Sequence, residues 1–159
     1  MGRSSLKGKE AKALLSEISE RYMLNHATFG SKPKIEISGE VNEGLVFIND
    51  LPLILMREGK PYPTLVFDEA VLKLSSIVVD MGAVPHVCNG ADVMAPGIRG
   101  AKGVFQQGAV VVVTDERHGK PIAIGVSLVG SEEMGKLRGG KVVRNIHFVG
   151  DRFWRQIKG

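Results

Sequence analysis

His86 and Cys88 stand two residues apart and are the pair in this sequence with nucleophilic or metal-ligating chemistry. A thiol beside an imidazole begins a nucleophilic pair, and a His-x-Cys step begins a zinc site. Neither is completed. His118 and His147 are scattered, no second His/Cys pair lies nearby, and no third group is suggested to orient the first two. A lone, partly buried histidine is the plainer reading. No catalytic or metal-ligating residue is assigned, and no cofactor is expected. The glycine-rich stretch Gly97-Ile-Arg-Gly-Ala-Lys-Gly103 contains a GXXG step. Pro96 precedes it and no helix pair flanks it, so a KH-type reading lacks its context. It also lacks the Gly-Lys-[Ser/Thr] ending of a phosphate-binding P-loop.

The remaining chemistry is charge. Residues 134–150 carry Lys136, Arg138, Lys141 and Arg144 without a single acid, and Arg152 follows. On the last strand of the chain Lys141, Arg144 and Arg152 are candidates for contact with phosphate, where each cation releases condensed counterion. Arg99 and Lys102 are further candidates. A solvated face is the usual alternative for such a run. The net charge of +4 is uneven: residues 1–76 hold 10 Lys+Arg against 10 Asp+Glu, and residues 77–159 hold 11 against 7. A basic excess confined to one half favours a polyanionic partner such as RNA.

The elements that must position these residues divide at Ser75-Ser76. With 159 residues, 43% hydrophobic and 24% charged, the chain has ordinary globular composition, enough for one typical domain or two small ones. No apolar run approaches the roughly 20 residues that span a bilayer, and Met1-Gly-Arg-Ser-Ser-Leu-Lys opens no secretory signal. The single cysteine excludes an internal disulfide and suits a reducing compartment, so the cytoplasm is expected and no membrane partner.

Residues 1–74 read as a small α+β unit. Leu14, Ile18 and Tyr22 recur every fourth residue in an amphipathic helix from Lys9 to Leu24, with Glu17 and Arg21 as an i,i+4 pair. Lys34–Ser38 alternates as a strand, and Leu45–Ile48 and Leu53–Met56 form a hairpin about a turn at 49–52. Glu58-Gly59-Lys60-Pro61 is a second turn, and a helix is expected over Thr64–Leu74.

Residues 75–159 read as short strands separated by Gly-rich turns. Ile77–Val79 is followed by a short helical run to Cys88, which Asn89-Gly90 ends. Ala91–Ala95, Val110–Thr114, Ile122–Val129 and Lys141–Val149 are strand-like, and Ser131 is placed to cap a one-turn helix carrying Glu132 and Glu133. Phe153 and Trp154 are read as plugging the end of the barrel. Such a pattern describes a small pseudo-barrel of short mixed strands with two short helices.

Asp80-Met-Gly-Ala83, then Gly90-Ala91 and Pro96-Gly97, resemble the signature of PUA domains. The likeness continues through the Val-rich strand, Ile124-Gly-Val126 and Ser131-Glu-Glu-Met134, about half the chain. The layout with Tyr62-Pro-Thr-Leu65, Asn145-Ile-His-Phe148 and Trp154 is similar to the malignant T-cell-amplified sequence family and its archaeal relatives. That resemblance implies RNA binding in translation, at the small ribosomal subunit or on tRNA, with a density-regulated-type protein as a partner. The alternative is a non-catalytic accessory subunit that delivers RNA to a tRNA- or rRNA-modifying enzyme. Transferred by position, the RNA face of PUA domains includes His86, Asn89, Gly90, Asp92 and Met94. Gly82 and Gly90, lacking Cβ atoms, would let RNA backbone approach and expose amides to phosphate; a purely structural role for both is the alternative.

Overall fold

A five-stranded antiparallel sheet, with strands in chain order, forms the first half of the molecule. The computed structural model describes residues 2–25 and 27–159 and divides into two compact units, Met1–Lys73 and Leu74–Gly159. In the first unit β1 (Arg3–Ser5) and helix α1 (Gly8–Arg21) precede β2 (Ile35–Glu40), β3 (Glu43–Ile48), β4 (Leu51–Arg57), β5 (Lys60–Pro63) and the single turn α2 (Asp68–Val71). The four-residue spacing on α1 holds: Leu14, Ile18 and Tyr22 are all buried, as an apolar stripe on a helix requires. The Tyr22 hydroxyl donates to the Pro61 carbonyl at 2.6 Å, tying the end of α1 to β5. Arg21 reaches Glu17 at 3.1 Å across one helical turn.

The hairpin turn expected at 49–52, which joins β3 and β4, is tighter than the sequence suggested. Asn49 and Asp50 alone make it, with φ of 52° and 68°, the doubly left-handed geometry whose twist matches paired strands. Leu51 and Pro52 therefore belong to β4. Glu58 and Gly59 repeat the device at φ 52° and 74°, which moves Lys60 and Pro61 out of the expected turn and into β5. Pro61 and Pro63 are tolerated there because β5 is an edge strand. The helix expected over Thr64–Leu74 shrinks to one turn, and Leu72 is 84% exposed. Thr64 is diverted instead: its hydroxyl donates to the Pro52 carbonyl at 2.7 Å.

In the second unit β6 (Ser75–Val79), α3 (Val84–Val87), β7 (Val93–Met94), β8 (Ile98–Lys102), β9 (Val110–Asp115), β10 (Pro121–Ser127), α4 (Ser131–Met134), β11 (Lys141–Phe148) and α5 (Arg152–Lys158) follow. The six strands lie in the order β7-β11-β10-β9-β6-β8, with β6 parallel to β9 and the other pairs antiparallel. Ile77, Val79, Val111, Val113, Ile122, Val142 and Val143 meet in one apolar core. The two units make a mixed α+β fold with a curled second sheet.

Four expectations change here. The glycine-rich stretch after Pro96 is strand β8, paired antiparallel with β6 from Ser76–Lys102 to Val79–Ile98. Gly100 and Ala101 have weak strand propensity, so the pairing rather than the side chains makes the strand. The strand expected over Ala91–Ala95 is reduced to Val93–Met94, and Ala95–Gly97 forms a 3-10 turn. Ser131 does not cap α4: Gly130 is the residue before the helix, and the Ser131 hydroxyl accepts the Phe105 amide at 3.1 Å. Arg152 is not on the last strand but opens α5, its guanidinium 4.7 Å above the Phe153 ring. Among the described residues no helix is long and apolar enough to cross a membrane.

Candidate functional site

Backbone turns around α3 build the site. Asp80, leaving β6, accepts the Ala83 amide through Oδ1 at 2.7 Å, and its own amide donates to the Gly97 carbonyl at 2.9 Å. Those bonds fix the start of α3 against the Ala95–Gly97 turn. Beyond α3 the Gly90 amide returns to Val87 O and the Ala91 amide to His86 O, each at 3.0 Å. Gly90 sits at φ +94°, and a Cβ there would lie 3.3 Å from the Phe148 ring. Both the left-handed backbone and the close ring favour glycine, so the structural role named for Gly90 has a definite cause. Gly82 has ordinary backbone and is exposed.

Asn145 on β11 anchors the far side. Its Nδ2 donates to the Val87 and Ala91 carbonyls, each at 3.0 Å, and its amide donates to Asp92 Oδ1 at 2.8 Å. Oδ1 of Asn145 is buried without a partner, so the amide nitrogen alone orients the side chain.

Between α3 and the Val93–Gly97 segment lies an open cleft of about 430 Å³. His86, Asp92 and Met94 line it, together with Asp80, Val87 and Pro96. Met94 is 46% exposed, a large apolar side chain left in water. Lys141 pairs with Met94 across the β7–β11 ladder, and its Nζ lies 3.4 Å from Asp92 Oδ2. Arg99 lies 3.5 Å from Asp80 Oδ2 and 3.2 Å from Glu116 Oε2. The cleft is thus mostly apolar, with one acid before α3 and one after it, and a cation drawn to each. Such an arrangement can hold an aromatic or apolar group while phosphate approaches the flanking cations.

Of the residues expected from sequence, His86, Asp92 and Met94 line the cleft, and Lys141 and Arg99 adjoin it through the two aspartates. Asn89 is exposed in the turn after α3. Arg144 is half-buried opposite Val126; bulges on either side of it, in the pairings of β11 with β7 and with β10, interrupt the alternation with Val142 and Ile146 that its parity suggested. Lys102 is exposed on β8 opposite Ser76, and neither it nor Arg152 lines the cleft. Asp80 and Asn145 went unassigned as functional positions. Asp80 carried a signal, its place in the signature; Asn145 stood only in the family-like stretch Asn145–Phe148, and a polar residue in a strand does not announce which carbonyls it will reach.

A second polar cluster lies at the end of β11. His147, fully buried, places Nδ1 2.8 Å from Asp151 Oδ2. Asp151 also accepts the Phe148 amide at 3.0 Å and, as the cap of α5, the Trp154 amide at 2.7 Å. Burial alone would raise the Asp151 carboxyl, but His147 and the two amides outweigh it and hold it below the usual carboxylate range. Phe153 is buried with its ring edge-on to His147, and Trp154 is half-buried. Burial pushes the Cys88 thiol up, against a weaker opposing pull from Lys120, which reduces its thiolate fraction and nucleophilicity. Among the described residues no group of three or more His, Cys, Asp or Glu is placed to hold a metal.

Residues 75–149 match the PUA domain, and residues 3–69 match a domain of unknown function (DUF1947). Uncharacterized protein MJ1432 of Methanocaldococcus jannaschii is 33% identical over 94% of this chain and 93% of its own length. Malignant T-cell-amplified sequence 1-B of Xenopus laevis is 32% identical over 70% of this chain and 64% of its own. Translation machinery-associated protein 20 of Schizosaccharomyces pombe is 31% identical over 52% of this chain; the match spans about half the relative, 48% of its length. Among solved structures, hypothetical protein PH0734.1 of Pyrococcus horikoshii superposes with a TM-score of 0.79 at 31% identity, covering 98% of this chain and 99% of that one. A PUA domain protein of Aeropyrum pernix superposes with a TM-score of 0.81 at 27% identity, covering 99% and 91%. The chain belongs to the PUA-domain family that includes the malignant T-cell-amplified sequence proteins and their archaeal relatives.

Proposed function

We propose that this chain is a non-catalytic RNA-binding protein associated with translation, acting in the cytoplasm on the small ribosomal subunit or on tRNA. The observation that carries the reading is the cleft beside α3, where His86, Asp92 and Met94 converge and Lys141 and Arg99 flank the opening. Two similar proteins bear names tied to translation or to the malignant T-cell-amplified sequence family, and the basic excess lies in the half that bears the cleft. Phosphate at the flanking cations would supply affinity, and the apolar cleft would receive a base or ribose.

Titration of labelled tRNA and of small-subunit rRNA fragments over a range of salt tests the cleft. Lys141→Ala is expected to weaken binding and to lower the log–log salt slope by about one unit. An unchanged slope would remove the cleft from the reading. Crosslinking in cells with sequencing of the bound fragments then tests the target: reads gathered on small-subunit rRNA or tRNA support it, and a flat background overturns it. A protein partner of the density-regulated type belongs to the same reading, and its test is recovery of a stoichiometric complex.

A further inference from the structure

The two cations beside the cleft are held unequally. Arg99 reaches two carboxylates, those of Asp80 and Glu116. Lys141 reaches one, Asp92, and its side chain is 64% exposed where that of Asp92 is 25% exposed. Asp92 is also fixed from behind, since Oδ1 accepts the Asn145 amide at 2.8 Å. The lysine, on a flexible four-carbon stem, can leave; the carboxylate, bound to the backbone of β11, cannot follow it.

A phosphate that takes Lys141 therefore leaves a fixed carboxylate beside it with Oδ2 bare. Two anions side by side repel, and the Asp92 carboxylate, only 25% exposed, loses a charged partner that water replaces incompletely. A ligand that carries a hydrogen-bond donor next to its phosphate removes both penalties. Ribose offers one, the 2′-hydroxyl, and deoxyribose does not.

We propose that Asp92 is a specificity-determining residue that makes the cleft prefer ribose phosphates over polyanions without a neighbouring donor. On binding, the Lys141 ammonium passes from Asp92 to phosphate, and the released Oδ2 accepts the hydrogen of a 2′-hydroxyl. Arg99, held by two acids, stays in place and closes the other side. The inference rests on the RNA-cleft reading above and gives Asp92 a role opposite to that of the cations: its charge lowers affinity for the wrong polymer.

Asp92→Asn tests it, because the amide keeps a carbonyl oxygen for the Asn145 N–H while losing the charge. Short single-stranded RNA and DNA oligonucleotides of one sequence are titrated against the full chain, wild type and variants, at one salt concentration. The wild type is expected to favour RNA. Asp92→Asn is expected to bind DNA about two- to five-fold more tightly, the range of one exposed ion pair, with no such gain for RNA, so that the preference narrows. Asp92→Ser, which also keeps an acceptor oxygen without charge, is expected to narrow it likewise. If the preference is unchanged in both variants while Lys141→Ala weakens both polymers, Asp92 is only an anchor for β11 and the inference falls with the cleft reading intact. If Lys141→Ala changes neither affinity, the cleft reading itself fails.

Discussion

In the first unit each strand pairs with its neighbour in sequence, from β1 to β5, and a cluster of surface charges, Arg3, Lys34, Glu36 and Asp50, pairs across it. Arg3 meets Glu36 at 3.3 Å and Asp50 at 3.0 Å, Lys34 meets Asp50 at 3.0 Å, and Arg3 also stacks on Phe47 at 4.0 Å. In the second unit the last strand returns to lie between β7 and β10, and β6 runs parallel to β9. Lys141 is brought to Met94 and Asn145 to Asp92 only by that return, and Arg99 to Glu116 by the pairing of β8 and β9 on the two sides of β6. The meander thus satisfies Arg3 and Lys34 on its own strands and turn. The crossed sheet brings distant segments together, and the cleft lies at one such meeting.

The largest expected effect breaks the second unit at the end of β11. Asp151→Ala removes the cap of α5, the acceptor for Phe148 N–H and the partner of buried His147, and is expected to cost about 3 kcal/mol in urea denaturation. A loss no larger than that of an exposed pair would show that α5 is held by Phe153 packing alone. The same carboxyl gives an acid signature. Its folded value lies below the unfolded one, about 3.9, so its stabilisation is complete above that pH and lost as pH falls through the folded value. In the Asp151→Ala protein the acid-induced drop in stability should shrink.

Gly90→Ala comes next. Forcing a side chain onto φ +94° against Phe148 is expected to cost about 1–2 kcal/mol, measured by the same titration, while Gly82→Ala, in ordinary backbone, should cost less. Equal costs at the two positions would break the assignment of Gly90 to the α3–β11 contact.

Smaller still is the exposed pair on α1. Glu17→Gln is expected to cost about 0.3–0.5 kcal/mol. With Lys9→Ala and Lys12→Ala, two α1 cations in the charge-balanced half, the salt slope of RNA binding should stay at the wild-type value. A fall of about one unit per lysine would extend the RNA footprint to the first unit.

Residues 9–24 announced α1 because helical periodicity is local: the i,i+4 apolar series fixes one face before anything packs on it. Asn49-Asp50 and Glu58-Gly59 announced turns for the same reason, although the strands extended closer to them than polarity suggested. Strand β8 was hidden because Gly100 and Ala101 reveal nothing until β6 lies alongside. Both faces of β11 are buried, with Val143, Asn145 and His147 as enclosed as Val142 and Ile146, so an alternating strand was only half right. Helix α5 was missed because its cap, Asp151, is positioned by His147 and Phe148.

What the sequence determined by itself was the class of the fold, the PUA signature and the basic balance of the second half, all carried by short-range pattern and composition. Tertiary structure alone decided which cation meets which acid. That Lys141 has one carboxylate and Arg99 two depends on where β11 and β8 lie in the sheet, and on hydrogen bonds between residues about fifty apart in the chain, such as Asn145 to Asp92. Contacts of that separation are set by packing a shared core, and no local spacing encodes them.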